Sequence, residues 1–414
     1  MENNLNKIFE VVSFYDKCRW EDEGNYNLIN FYKDDLNNNT KLLTHWLCYI
    51  TNRQTDFLRI FDVGGFVFSE LADCYNETND YFALLDPKHE NSFIRKDNED
   101  KEKYYFVGTF LPNNKIRENF YKIDKNVPVI FKSRFLPADY FSILYTLDIL
   151  NEAYKKSLTY FIAEIYKIHK NEKESLIQKI LFALHLLSYH EIGQKNFPDI
   201  GKITYEKIKE RTENKIKILQ NKDMFNLMFT KFVDEDIFRQ KRAWCCLRDF
   251  LKSPQFNSYF RESMMKYGLT NKELDDLSNI NMLCQLELPG DVWNNNPKFR
   301  RCICNDQNIT KFDKFNQFLR NHYNNSDTLK KGEAYPEQFD ITFDFVPMMC
   351  DKNNCDICPI GCIFSQGENF EMTCINDTSK YCPVALVGCG YKSKCCGQEK
   401  CELRKIIDVG SHPK

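Results

Sequence analysis

The chain has 414 residues and a formal net charge of −2, which is too long for one small core and too near neutral for global attraction to nucleic acid. Its 15 glycines and 13 prolines are too few for a turn-rich β architecture, so the expected class is mainly α, a multi-helix array in two helical lobes. No apolar run approaches the ~20 residues of a membrane span, and the opening MENNLNKIFEVVSFYDK carries charges where an export signal needs an apolar stretch. A cytoplasmic protein without a membrane partner is expected.

Residues 1–135 are expected to be mostly helical. Helical apolar spacing runs through LLTHWLCYI and again through FLRIFDVGGFVFSELADCY, where Phe57, Ile60, Phe61 and Phe68 recur at turn spacing. Gly64 and Gly65 interrupt the second run, as a kink, a close helix contact or a backbone approach to a ligand requires. Just before them, Arg53 and Gln54 in ITNRQT either line a base pocket or form a turn. Residues 76–126 read as a polar insertion with one short hairpin around YYFVGTF.

Residues 136–325 form the expected helical core domain. ADYFSILYTLDILNEAY, SLTYFIAEIYKIHK and ESLIQKILFALHLLSY are predicted helices, each with an apolar stripe. KITYEKIKERTENKIKILQNK alternates basic and acidic residues and keeps Ile and Leu on one side, the pattern of a solvated surface helix. Shorter helices follow in DEDIFRQKRAWCCLRDFLKS, PQFNSYFRESMMKYG and TNKELDDLSNINMLCQLEL, the last opening with Thr270 and Glu273 as a capping box. After a helix at KFDKFNQFLRNHY, the polar NNSDTLKKGEAYPEQ reads as a linker, and residues 326–414 as a separate Cys-rich module.

That module holds the sharpest signal. Eight cysteines are scattered over residues 1–349, whereas ten fall between Cys350 and Cys401, and in a reducing compartment such clustering points to a metal rather than to disulfides. The order is Cys350-x4-Cys355-x2-Cys358-Pro, then Cys362, Cys374, Cys382-Pro, Cys389, Cys395-Cys396 and Cys401. Two residues between Cys355 and Cys358 let both thiolates face one metal from a single turn, and the following Pro fixes the exit of the chain. One site would use Cys350, Cys355 and Cys358 with Cys362 or Cys374; a second would use Cys382, Cys389, Cys396 and Cys401. With His412 lying beyond the last cysteine, the donors are thiolates alone, which suits a 4Fe–4S cluster or a structural zinc ion, and the Cys-Pro pairs resemble ferredoxin-type ligation.

The P-loop, G-x-G-x-x-G, H-E-x-x-H and G-x-S-x-G motifs are all missing, which removes support for nucleotide cradling, dinucleotide binding, zinc proteolysis and Ser hydrolysis. Two segments remain: RQKRAWCCLRDFL around Lys241 and QLELPGDVWNNNPKFRR around Asp291. A Lys on a helix, followed by a helix array and then a carboxylate after a Pro-Gly turn, resembles the helix-hairpin-helix DNA glycosylase superfamily over roughly residues 175–310. Leu288-Pro289-Gly290-Asp291 departs from that family's L-P-G-x-G hairpin, and the cysteine spacing departs from its C-x6-C-x2-C-x5-C loop.

The resemblance implies a base-flipping enzyme with DNA as its partner. Lys241 would be the amine nucleophile on the sugar C1′, made neutral by desolvation or by the neighbouring cation Arg242, and Asp291 would stabilise the developing sugar cation. The plainer alternatives are a solvated Lys241 and an Asp291 that caps the segment at Val292-Trp293. Trp46, Trp244 and Trp293 would either stack on an extruded base or belong to the core. The rival function is a zinc-binding interaction module without enzymatic activity.

Overall fold

The computed structural model describes residues 36–51, 64–97, 103–108, 130–131, 137–188, 204–234, 241–279, 317–319 and 321. Among the described residues helices dominate and strands are few and short. Helix α1 (Asn38–Ile50) starts where Asn37 is extended and its Oδ1 accepts from the Thr40 amide at 2.9 Å. Every residue from Leu42 to Ile50 is buried, the mark of a helix covered on all sides. Its neighbour α2 (Gly65–Glu77) begins at the di-glycine, with Gly64 already at helical angles, φ −67° and ψ −40°. Only this second half of the interrupted run falls among the described residues.

The expected hairpin is the first part of a three-stranded antiparallel sheet, β1 (Ile94–Lys96), β2 (Tyr104–Val107) and β3 (Ile130–Phe131), in that order. Phe106 of β2 pairs with Ile94 on one side and Phe131 on the other. The third strand lies beyond residue 126, and a two-residue strand is too short for alternation to announce it. Phe106 meets Phe68 of α2 edge-on, with ring centroids 5.1 Å apart. At the end of β2 a Cβ on Gly108 would stand 2.8 Å from Glu70 Oε2 and 3.2 Å from Val67 Cγ2, so the absence of a side chain is what lets the strand approach α2.

Helix α3 (Pro137–Ala153) is buried continuously from Ala138 to Leu150, Asp139 and Asp148 included. The expected apolar stripe is thus a fully enclosed helix, covered by α1 and by α5 (Leu176–Leu187) and α6 (Tyr205–Gln220). The chain leaves α3 through Lys155 and Lys156, both left-handed at φ 51° and 57°, a costly conformation for residues with a Cβ. Lys156 Nζ donates to Tyr75 O at 3.1 Å and to Thr78 O, so the same turn supplies a cation to the carbonyl end of α2 and offsets part of that cost.

Helix α4 (Leu158–His169) is capped by Ser157, whose Oγ accepts from the Tyr160 amide at 3.1 Å. Between α4 and α5, Glu172 gathers His169 Nδ1 at 2.9 Å, Lys179 Nζ, and Lys222 Nζ at 3.1 Å, the last from α7 (Lys222–Asp234). Partial burial opposes ionisation of Glu172, but the hydrogen bonds from Lys179, His169 and Lys222 outweigh it and hold the carboxyl at about 2, below its ordinary 4.5. Because the folded value is depressed, this contribution to stability is complete above the unfolded value and is lost as pH falls from 4.5 toward 2. Glu172→Gln is expected to flatten the acid limb of stability in urea titrations across that window; parallel limbs for variant and parent would show that the cluster carries no such term.

Of α6, only Ile208, Thr212 and Leu219 are buried, which agrees with the surface helix expected from its charge pattern. Helix α8 (Lys241–Lys252) leads through Ser253, an N-cap followed by Pro254, into α9 (Pro254–Lys266). Before α10 (Asn271–Ser278), the Thr270 amide donates to Glu273 Oε2 at 2.9 Å and the Glu273 amide donates to Thr270 Oγ1 at 3.3 Å, which is the capping box read from the sequence. Helix α9 packs on α1 and α4, and α1 on α3, so helices from both sides of residue 135 share one core. That core belongs to a compact unit of Leu28–Glu235 and Arg242–Asp275. A second unit comprises the other residues. No helix among the described residues is long and apolar enough to cross a membrane.

Candidate functional site

A buried polar constellation joins α1 to α8. His45 and Tyr49 are four residues apart, hence on one face of α1. Both reach Asp249 Oδ2, Tyr49 through its hydroxyl at 2.5 Å and His45 through Nε2 at 3.0 Å. Asp249 Oδ1 accepts from Arg248 Nε and Nη2, each at 3.4 Å. The Arg248 guanidinium also lies over the Trp244 ring, 4.9 Å from its centroid. Around them, the His45 ring lies tilted by 31° against Phe256 of α9, with centroids 3.9 Å apart, and meets Tyr49 edge-on at 4.9 Å.

Arg248 and Asp249 bring opposite charges into contact within this cluster. Burial drives the His45 pKa down, against the pull of the Asp249 hydrogen bond and charge, and Arg248 adds to the fall. A neutral His45 therefore donates Nε2–H to an Asp249 carboxylate whose counter-charge is Arg248. Burial likewise pushes the Cys48 and Cys246 thiols well up, Cys246 further through Asp249, Cys245 and Cys48. Protonated thiols sealed in a core are inert as nucleophiles and as metal ligands. A His–Asp pair with a Tyr would suit acid–base chemistry, but His45 is 0% exposed and Asp249 1%, and a base must come within hydrogen-bond reach of its substrate. The arrangement is a polar fastener between two helices.

Lys241 is the first residue of α8. Arg242, expected as the cation that lowers its pKa, donates through Nη1 to Ile50 O and lies 3.5 Å from Asp139 Oδ1. Its charge is thus balanced by a fully buried carboxylate. Trp46 is completely buried with Nε1–H donating to Thr146 Oγ1 at 3.3 Å, and Trp244 is buried beneath Arg248. Both rings are core, as their helical spacing allowed, and neither offers a face to an extruded base.

Arg53, Gln54, Asp291 and Trp293 lie outside the described residues, as do Cys350, Cys355, Cys358, Cys362, Cys374, Cys382, Cys389, Cys396 and Cys401. Among the described residues no group of three or more His, Cys, Asp or Glu stands where it could hold a metal ion. His45, Tyr49, Arg248 and Asp249 were not singled out from the sequence. The available signal was a set of polar residues inside the apolar runs LLTHWLCYI and RAWCCLRDFL. No family model, no curated protein and no solved structure matches this chain.

Proposed function

We propose that the cysteines between Cys350 and Cys401 hold a 4Fe–4S cluster, and that the chain is a DNA glycosylase or glycosylase-like protein that flips out and excises a modified or damaged base. The observation that carries the proposal is the donor set itself: ten cysteines in that span, with the tight Cys355-x2-Cys358-Pro unit. Thiolate-only ligation fits such a cluster, which here supplies structure rather than chemistry. Lys392, Lys394, Lys400 and Arg404 stand among and beside these cysteines and would meet DNA phosphates.

The excision step rests on Lys241 and Asp291. A neutral Lys241 amine would attack the sugar C1′ as the base leaves, and Asp291 would stabilise the positive charge developing on the sugar. Arg242 pairs with Asp139, so the neutral Lys241 that this chemistry requires would have to come from desolvation. The second reading, a zinc-binding interaction module, draws support from the burial of Trp46 and Trp244, which removes two stacking surfaces for a flipped base.

Two measurements decide between these readings. Anaerobically purified protein is expected to be brown, with absorbance near ~400 nm and with iron and sulfide, and Cys355→Ser with Cys358→Ser to lose the band. A colourless preparation with stoichiometric zinc selects the interaction module. Borohydride trapping on DNA carrying a panel of modified bases is expected to yield a covalent adduct that disappears in Lys241→Ala; an undiminished adduct in that variant would exclude Lys241 as the nucleophile.

A further inference from the structure

Among the described residues four large apolar side chains are exposed, and three of them, Met224, Leu227 and Val233, sit on the 13-residue helix α7. Such residues are ordinary when scattered singly, but three on one helix call for a cause. The inward face of α7 sets its rotation. Phe225 is fully buried and meets His169 and Phe182 at ring-centroid distances of 4.5 and 5.0 Å, while Phe229 meets Phe182 at 5.8 Å. Lys222 is held by Glu172, and Asn226 Oδ1 accepts from Lys179 Nζ at 2.7 Å. Leu227 lies two residues from each Phe, hence about 160–200° around the helix from both. It points away from the core and is 61% exposed.

The charges on this outward face are placed evenly about Leu227. Asp223 and Lys231, both exposed, precede and follow it by four residues, so the three share one stripe. Eight residues span about 12 Å along the axis, too far for Asp223 and Lys231 to pair within one chain. A two-fold axis through Leu227, perpendicular to α7, sets an identical helix antiparallel against it. Asp223 of each copy then faces Lys231 of the other, and Leu227 faces Leu227. Met224 meets Thr230, whose hydroxyl is already satisfied by Asn226 O at 3.0 Å. Val233 lies about 120° around the helix from Leu227, outside the contact.

We propose that α7 is the contact helix of a homodimer, in which two copies pair their α7 helices antiparallel, with Leu227 on the two-fold axis and Asp223 and Lys231 exchanging ion pairs across it. Charge selects this arrangement. A parallel pairing would set Asp223 on Asp223 and Lys231 on Lys231, and a shift of one turn would separate both ion pairs. One helix about 20 Å long offers a contact at the small end of specific interfaces, so the dimer is weak and concentration-dependent.

Sedimentation velocity of the full chain under reducing conditions, from about 1 to 300 µM, reads the equilibrium. A monomer–dimer transition is expected, weakened about tenfold or more by Leu227→Asp, which buries a charge against its own copy at the axis. Asp223→Lys and Lys231→Asp each turn both ion pairs repulsive, and each alone is expected to dimerise about tenfold more weakly. Mixed one to one, these two variants are expected to form a heterodimer about as tight as the parent dimer, because every cross-pair is again of opposite sign. The mixture also separates loss of contact from loss of fold, since a misfolded chain gains nothing from a partner. A full chain that stays monomeric throughout, a dimer indifferent to Leu227→Asp, or a mixture no tighter than either variant alone overturns the proposal.

Discussion

Asp249→Ala is expected to lower the free energy of unfolding by about 3–5 kcal/mol, the cost of removing one partner from a buried ion pair. The carboxylate is where Tyr49, His45 and Arg248 converge, at 2.5, 3.0 and 3.4 Å. Its loss takes from Arg248 the counter-charge it contacts in a site 2% exposed, and from Tyr49 and His45 the acceptor they share. Asp249→Asn separates the terms, since it keeps the shape and one acceptor but removes the charge. A double variant, Arg248→Met with Asp249→Leu, is expected to recover much of the loss, because an apolar pair of similar volume avoids desolvating two charges. Urea denaturation at constant m-value is the measurement. A loss below about 1 kcal/mol for Asp249→Ala, the range of exposed pairs, would contradict a buried site.

Trp46→Ala is expected to cost about 3–5 kcal/mol, in this case through a cavity. Trp46 is among the largest fully buried side chains and sits on α1, which packs on α2, α3, α4 and α9. Its removal therefore opens a void bounded by elements that cannot all close on it. The indole hydrogen bond is a smaller part, because Thr146 Oγ1 also donates to Ser142 O at 2.7 Å and keeps a partner when the indole goes. Trp46→Phe, which leaves most of the packing, is accordingly expected to lose only about 1–2 kcal/mol. Equal losses for the two variants would assign the energy to the hydrogen bond instead.

How far the fold was legible depended on whether its cause was local. The capping box at Thr270 and Glu273 and the solvated character of α6 are both present as read, because each is set by residues three or four positions apart. The enclosure of α1 and α3 was not legible. A helix with Thr, Asp and Tyr among its apolar residues reads as amphipathic until its neighbours are known, and α3 buries Asp139 and Asp148 because α6, α8 and the turn at Tyr81 bring partners to them. The third strand was missed for a different reason: two residues carry no periodicity.

By itself the sequence determined the mainly helical class, the surface helix with its charge pattern, and the gathering of ten cysteines between Cys350 and Cys401. Each follows from composition or from spacing within a few turns of chain, where geometry is imposed by the backbone alone. Only the tertiary structure decided that His45 and Asp249, 204 positions apart, share a hydrogen bond, that Trp46 and Trp244 belong to the core, and that Arg242 is balanced by Asp139. Such pairings depend on which helix faces cover one another, and burial acts on every apolar face alike without specifying its partner.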